Sequence, residues 1–172
     1  MAARKQAAVH LGGKALDILM PMHLRLDAKG RIAAVGPTFG KLTRGNPLQG
    51  GSFFRAFELR RPGNVRNIAA LMAHAGRRLH LSLRGTDPPL SFRGVALPLG
   101  EEGGMLVNLS FGINVLDAVR DHGLTDADFS PTDLAVEMLY LVEAKTAVTE
   151  ELRRLNQRLA DAKTEADRKS VV

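Results

Sequence analysis

Five histidines, His10, His23, His74, His80 and His122, are the side chains of this 172-residue chain best suited to hold a metal or move a proton. No two of them stand at the close helical spacing of a metal motif, so a zinc site is not expected. Arg60 and Arg61, just before Pro62, could clamp an anion through their guanidinium forks; the plainer reading is surface charge pairing with Glu58. Asp126 and Asp128 could work as acid and base only beside a suitable partner, and in a local turn they read instead as turn and cap residues. Asp87-Pro88-Pro89 is a turn, and the Gly-rich run at 45–51 lacks the Gly-Lys-Ser/Thr ending of a phosphate loop. The chain has no cysteine, which excludes disulfides, thiolate nucleophiles and flavin photoadducts on sulfur. It also makes the cytosol the expected compartment. Nothing in this inventory assembles an enzyme active site.

The formal net charge is +6, which raises the question of a nucleic-acid partner. The basic pairs Arg4-Lys5, Arg60-Arg61, Arg77-Arg78 and Arg153-Arg154 are scattered, and no aromatic platform interleaves them, so nucleic-acid binding is not expected. Arg153 and Arg154 follow Glu150 and Glu151 as they would on a solvated helix flank. An apolar fraction of 45% excludes wholesale disorder. The longest apolar stretch, residues 16–26, is broken by Asp17, Pro21 and Arg25, so no membrane span is expected, and the N-terminus lacks the pattern of a secretory signal.

The elements that would position these residues can be read from periodicity. Residues 2–19 read as a helix interrupted by Gly12-Gly13, a flanking element occupying positions 1–20. Met22, Leu24 and Leu26 alternate with His23 and Arg25 as a half-buried strand, and Asp27-Ala28-Lys29-Gly30 turns it back into residues 31–35. Short helical pieces and loops follow to Leu59, with Phe39, Phe53, Phe54 and Phe57 expected in the core. A clearer helix is predicted from Asn64 or Val65 to about His74, with Ile68, Leu71 and Met72 on one face and Gly76 as its stop. Three strands come next, at 78–84, 90–97 and 105–111, joined by short turns as an antiparallel meander. Hairpin, helical middle and meander predict an α+β domain over residues 21–129, a five-stranded antiparallel sheet with helices on one face.

Residues 130–172 read as one long helix. Ser130 is placed to cap it, Pro131 suits its first position, and Asp133 stands where a capping-box carboxylate would be. Neither Gly nor Pro occurs from Thr132 onward. Leu134, Met138, Leu141, Val148, Leu152, Leu155, Leu159 and Ala162 step by fours and threes, and Lys145 fills the core-type position in the one wider gap. At about 1.5 Å per residue such a helix reaches roughly 60 Å, longer than a domain of about 130 residues is wide. Its outer part needs a partner. The expectation is a homodimer through Leu134, Met138, Leu141, Lys145, Val148, Leu152, Leu155 and Leu159, with parallel and antiparallel pairing both open. A helix folded back on its own domain is the alternative, which the single polar core residue Lys145 disfavours because such residues commonly fix coiled-coil register. No Gly stop closes the helix, so it is expected to continue into an output domain.

The order of strand pair, helices, three strands and signalling helix resembles the PAS domains. More closely, the chain is similar to the PAS-like haem-NO-binding-associated domain of soluble guanylate cyclases and bacterial signalling proteins. The residues that carry the resemblance are Met20-Pro21-Met22-His23 leading into Leu24-Arg25-Leu26-Asp27, the box from Phe57 to Pro62, Leu83-Arg84-Gly85, Phe92-Arg93-Gly94, and the run from His122 to Phe129. Pro21-Met22-His23 stands where the family tends to have Pro-Phe-His, and Leu109-Ser110-Phe111-Gly112 replaces its Leu-Gly-Ser-Pro-like strand end. The resemblance implies a dimerisation and relay element without catalysis or cofactor of its own. It would couple an input, such as a haem-NO-binding sensor protein, to a C-terminal diguanylate cyclase, or otherwise a nucleotide cyclase or histidine kinase. It also implies an alternative, a ligand-sensing PAS domain with a small molecule or haem between sheet and helices. There His74 would be the iron ligand; without haem, a histidine near a helix C-terminus faces water and favours the dipole. His23 is expected to be structural, with a hydrogen bond across the sheet as its other option.

Overall fold

The computed structural model describes residues 10–43, 45–100 and 103–170. The chain divides into two units, Met1–Asp133 and Leu134–Val172. Within the first lie helix α1 (Gly13–Leu19), strands β1 (His23–Leu26) and β2 (Ile32–Val35), short helices α2 (Thr38–Leu42) and α3 (Phe53–Ala56), strand β3 (Phe57–Arg61), helix α4 (Ile68–Met72), strands β4 (Arg78–Leu83), β5 (Ser91–Pro98) and β6 (Met105–Ser110), and helix α5 (Val115–His122). The second is helix α6 (Ala135–Ser170).

The strands form one antiparallel sheet in the order β2-β1-β6-β5-β4-β3. The α+β class is as the periodicity predicts, but the sheet has six strands, not five. The extra one is β3, an edge strand whose Phe57 is buried while Glu58 and Arg60 are exposed. Its alternation is short, and its first residue Phe57 follows Phe53 and Phe54 at helical spacing, which hides the strand from a periodicity reading. The β1–β2 hairpin turns where expected. The Asp27 carboxylate accepts from the amides of Lys29 and Arg31, both at 2.8 Å, and Gly30 takes the positive φ of 75° that the turn requires. The Arg31 amide is the main reason this carboxyl sits below its usual range, with partial desolvation opposing it and the Lys29 amide adding to it.

Three other boundaries move. Among the described residues of the expected N-terminal helix, 13–19 are helical and 10–12 are not, and the part before His10 lies outside the described residues. The helix expected from residue 64 or 65 begins at Ile68, because Asn67 caps it by accepting from the Ala70 amide at 2.8 Å; Leu71 is buried, but Met72 is exposed. The long helix starts at Ala135, not Pro131. Ser130 instead makes a turn, its carbonyl accepting from the Asp133 amide at 2.9 Å, and the capping box forms earlier, between Thr125 and Asp128. Helix α5 was not predicted; it is short, with Val115 and Ala118 buried, and follows the last strand after the brief turn Gly112–Asn114.

The inner face of the sheet is closed by aromatic packing. Phe39 meets Phe57 and Phe92, Phe53 stacks on Phe57, Phe92 meets Phe57 and Phe111, and Phe111 meets Phe129, with ring centroids 5.1 to 6.3 Å apart. Leu24, Leu81, Met105 and Val107 complete this layer, all fully buried.

Candidate functional site

Helix α6, with Leu134 just before it, presents an apolar stripe. Leu134, Met138, Leu141, Val148, Leu152, Leu155 and Leu159 are all between 44% and 71% exposed, and Lys145 is exposed in the same series. Thr146 and Thr149 fold their hydroxyls back onto the carbonyls of Val142 and Lys145, at 2.9 and 2.8 Å, and Gln157 donates to Asp161 at 3.0 Å. These polar side chains bond within the helix, the threonines to its backbone and Gln157 to Asp161, and the apolar row is interrupted at Lys145.

The segment that leads into this helix is held by hydrogen bonds from α2, in addition to the packing of Phe129 on Phe111. Thr38 in α2 donates its hydroxyl to the Asp128 carbonyl at 2.7 Å, and Lys41, one turn later in α2, donates to the Asp128 carboxylate at 2.6 Å. The same carboxylate accepts from the Thr125 amide at 2.7 Å. Burial pushes the Asp128 carboxyl up, but the hydrogen bonds from Lys41 and from the Thr125 amide outweigh it, and the group sits below the usual carboxylate range. Asp128 is buried and Thr38 fully so, so this latch holds the polypeptide by its backbone and its charge together. Asp128 was expected to act as a cap, and it does. The partner across the fold, Lys41, was not legible, because nothing local links residues so far apart in sequence.

A cavity of about 460 Å³ lies beside the latch, between the end of α2, the β4–β5 turn and the end of α5. Leu42 and Thr43 come from α2, Asn46 and Leu48 from the loop after it, Leu83 to Pro88 and Leu90 from the turn, and Asp121 and His122 from α5. The turn is held by Thr86, whose hydroxyl donates to the Leu83 carbonyl at 3.2 Å and accepts from the Leu90 amide at 3.0 Å. Sequence reading missed this cavity; its only local signal is the turn at Asp87-Pro88-Pro89.

The remaining candidates are dispersed. His23 is buried and bonds to the carbonyl of Met20 at 3.0 Å, a local contact and not one across the sheet. The Nδ1 atoms of His74 and His122 are buried without a hydrogen-bond partner, so His74 does not simply face water. His74 does not line the cavity beside the latch. Arg60 and Arg61 are exposed, and Glu58 pairs not with them but with Arg84, at 3.9 Å on the neighbouring strand side. Among the described residues no group of three or more His, Asp or Glu side chains could hold a metal ion, and no helix is long and apolar enough to cross a membrane. No protein-family model matches the chain, and a search of curated proteins gives no match.

Proposed function

We propose that the chain is a dimerising signal-relay module of the PAS type, akin to the haem-NO-binding-associated domains, acting in a larger cytosolic protein that carries a diguanylate cyclase or, failing that, a nucleotide cyclase or histidine kinase. The observation that carries the reading is the exposed heptad stripe of α6, from Leu134 to Leu159, on a helix that follows an antiparallel sheet unit. In the proposed dimer two such stripes pair, with Lys145 setting register. The Asp128 latch supports the relay half of the reading, since it fixes where the helix lead-in leaves the sheet unit. The ligand-sensing alternative would place a molecule between the inner sheet face and the helices, the layer that Phe39, Phe57, Phe92 and Phe111 occupy. That filling favours relay over sensing in the core.

The reading is tested by helix phase. In the chain joined to its output domain, deleting the four residues 147–150 rotates everything downstream by about 40°, at ~100° per residue, and takes the stripe out of phase. Deleting the seven residues 145–151 nearly restores the facing stripe. The four-residue deletion is expected to change output activity strongly and the seven-residue deletion to preserve most of it. Equal effects of the two would reduce the helix to a tether.

A further inference from the structure

We infer that the cavity beside α2 and α5 is a binding site for a small amphipathic cation, an amine carried on an apolar body. Its volume of about 460 Å³ falls within the ~300–1,000 Å³ usual for small-molecule sites. One part of its lining is apolar, with Leu42, Leu48, Leu83 and Leu90. Two carboxylates complete it, Asp87 from the β4–β5 turn and Asp121 from α5, which the fold brings to one concavity from distant parts of the sequence.

Charge decides the class of ligand. Neither Asp87 nor Asp121 has an ion-pair or hydrogen-bond partner among the described residues, whereas Asp27, Asp126, Asp128 and Asp161 each accept a hydrogen bond. Arg84 is the lining residue with a fixed positive charge, and it is directed to Glu58, at 3.9 Å. Among its described lining residues the cavity therefore carries an excess of negative charge, the exposed Asp87 and Asp121 against Arg84, beside an apolar wall. An ammonium group would relieve that charge while its hydrocarbon part covers the leucines. An anion of the same shape would meet two carboxylates.

The site also has a place in the fold. Leu42 and Thr43 directly follow Lys41 in the chain, and Asp121 and His122 lie just before the Thr125–Asp128 capping box. A ligand between them touches the elements on both sides of the latch. The inference goes beyond the relay reading and does not depend on it.

Amide NMR titration of the chain tests it with three probes of one shape: phenethylamine, phenylpropionate and phenethyl alcohol. The expected result is a saturable shift of the Leu42, Thr43 and Leu90 amides with phenethylamine, a much weaker response to the alcohol, and none to the acid. The double variant Asp87→Asn with Asp121→Asn should weaken the amine about five- to tenfold. A second variant, Leu48→Arg, places a tethered cation at the cavity wall and should abolish amine binding with both carboxylates intact. Equal responses to all three probes, no saturable shift at millimolar amine, or unchanged amine affinity in the folded variants would overturn the inference.

Discussion

Large apolar side chains of the sheet core and of α6 differ in what covers them. In the sheet unit Phe39, Phe53, Phe57 and Leu81 are at most 1% exposed, while in α6 Leu141 and Leu159 are each 69% exposed. Regular spacing occurs in both units, with period two at Leu79 and Leu81 on β4 and at Met105, Val107 and Leu109 on β6, and heptad steps on the helix. Burial of apolar surface contributes about 25 cal/mol per Å², so the first set stabilises its own unit, and the second would contribute through the association proposed above. Regular apolar spacing thus identifies a face, and only exposure tells whether that face belongs to a core or to an interface.

The sharpest way to test this contrast is to damage the core. Phe92 meets three rings, those of Phe39, Phe57 and Phe111, and is 2% exposed. Phe92→Ala is expected to destabilise the sheet unit by about 3–5 kcal/mol, through lost transfer energy and the cavity left behind. The chain offers a convenient separation of signals. It has one tyrosine and no tryptophan, and Tyr140 lies on α6, so its fluorescence reports on the helix while amide exchange of β4, β5 and β6 reports on the sheet. The sheet amides should lose protection far more than the Tyr140 signal changes. Equal losses would mean that core and interface residues stabilise one cooperative block, and the contrast would fail.

A smaller effect is expected at the latch. Asp128→Ala leaves the Lys41 ammonium and the Thr125 amide without their shared acceptor and should cost about 1–3 kcal/mol. The pH dependence has a definite sign. The carboxyl titrates lower in the folded chain than in the unfolded one, so its contribution is complete above the ordinary carboxylate range and is lost as pH falls through the lowered value. Thermal melts from neutral to acid pH should show a fall in stability for the parent chain below that range, and a shallower one for Asp128→Asn. Parallel curves would remove Asp128 from the account of stability.

How much of this was legible beforehand follows from the range of each interaction. The β1–β2 hairpin was readable because Asp27 and Gly30 act on their immediate neighbours, β4 and β6 because Leu79, Leu81, Met105 and Val107 alternate cleanly, and β5 as a run bounded by turns. Strand β3 was not, since its pairing with β4 supplies what its own short alternation lacks. The onset of α6 was misplaced because Ser130 can cap a helix or close a turn with equal chemistry, and tertiary context chose the turn. The stripe of α6 was fully visible as a pattern. The Lys41–Asp128 pair and the Asp87–Asp121 cavity were not visible at all, because each joins segments whose proximity is a product of the finished fold.

The smallest effect expected on the sheet unit comes from the helix itself, and it completes the contrast. Leu152 and Leu155 are 55% and 44% exposed, so replacing both by Asp removes little that the chain has buried. The protection of β4, β5 and β6 should change by no more than about 0.5 kcal/mol, the usual size for surface substitutions. In the proposed dimer the same two positions face each other across the seam, where two added carboxylates per helix bring like charges into an apolar contact. Light scattering at tens of micromolar should therefore show the parent chain at twice its 18.6 kDa mass and the double variant at the single mass. A monomeric parent, or a variant of unchanged mass, would mean that the stripe serves some other surface. A large loss of sheet protection in the variant would mean that these leucines are core residues in solution, and the division between the two kinds of apolar face would have to be redrawn.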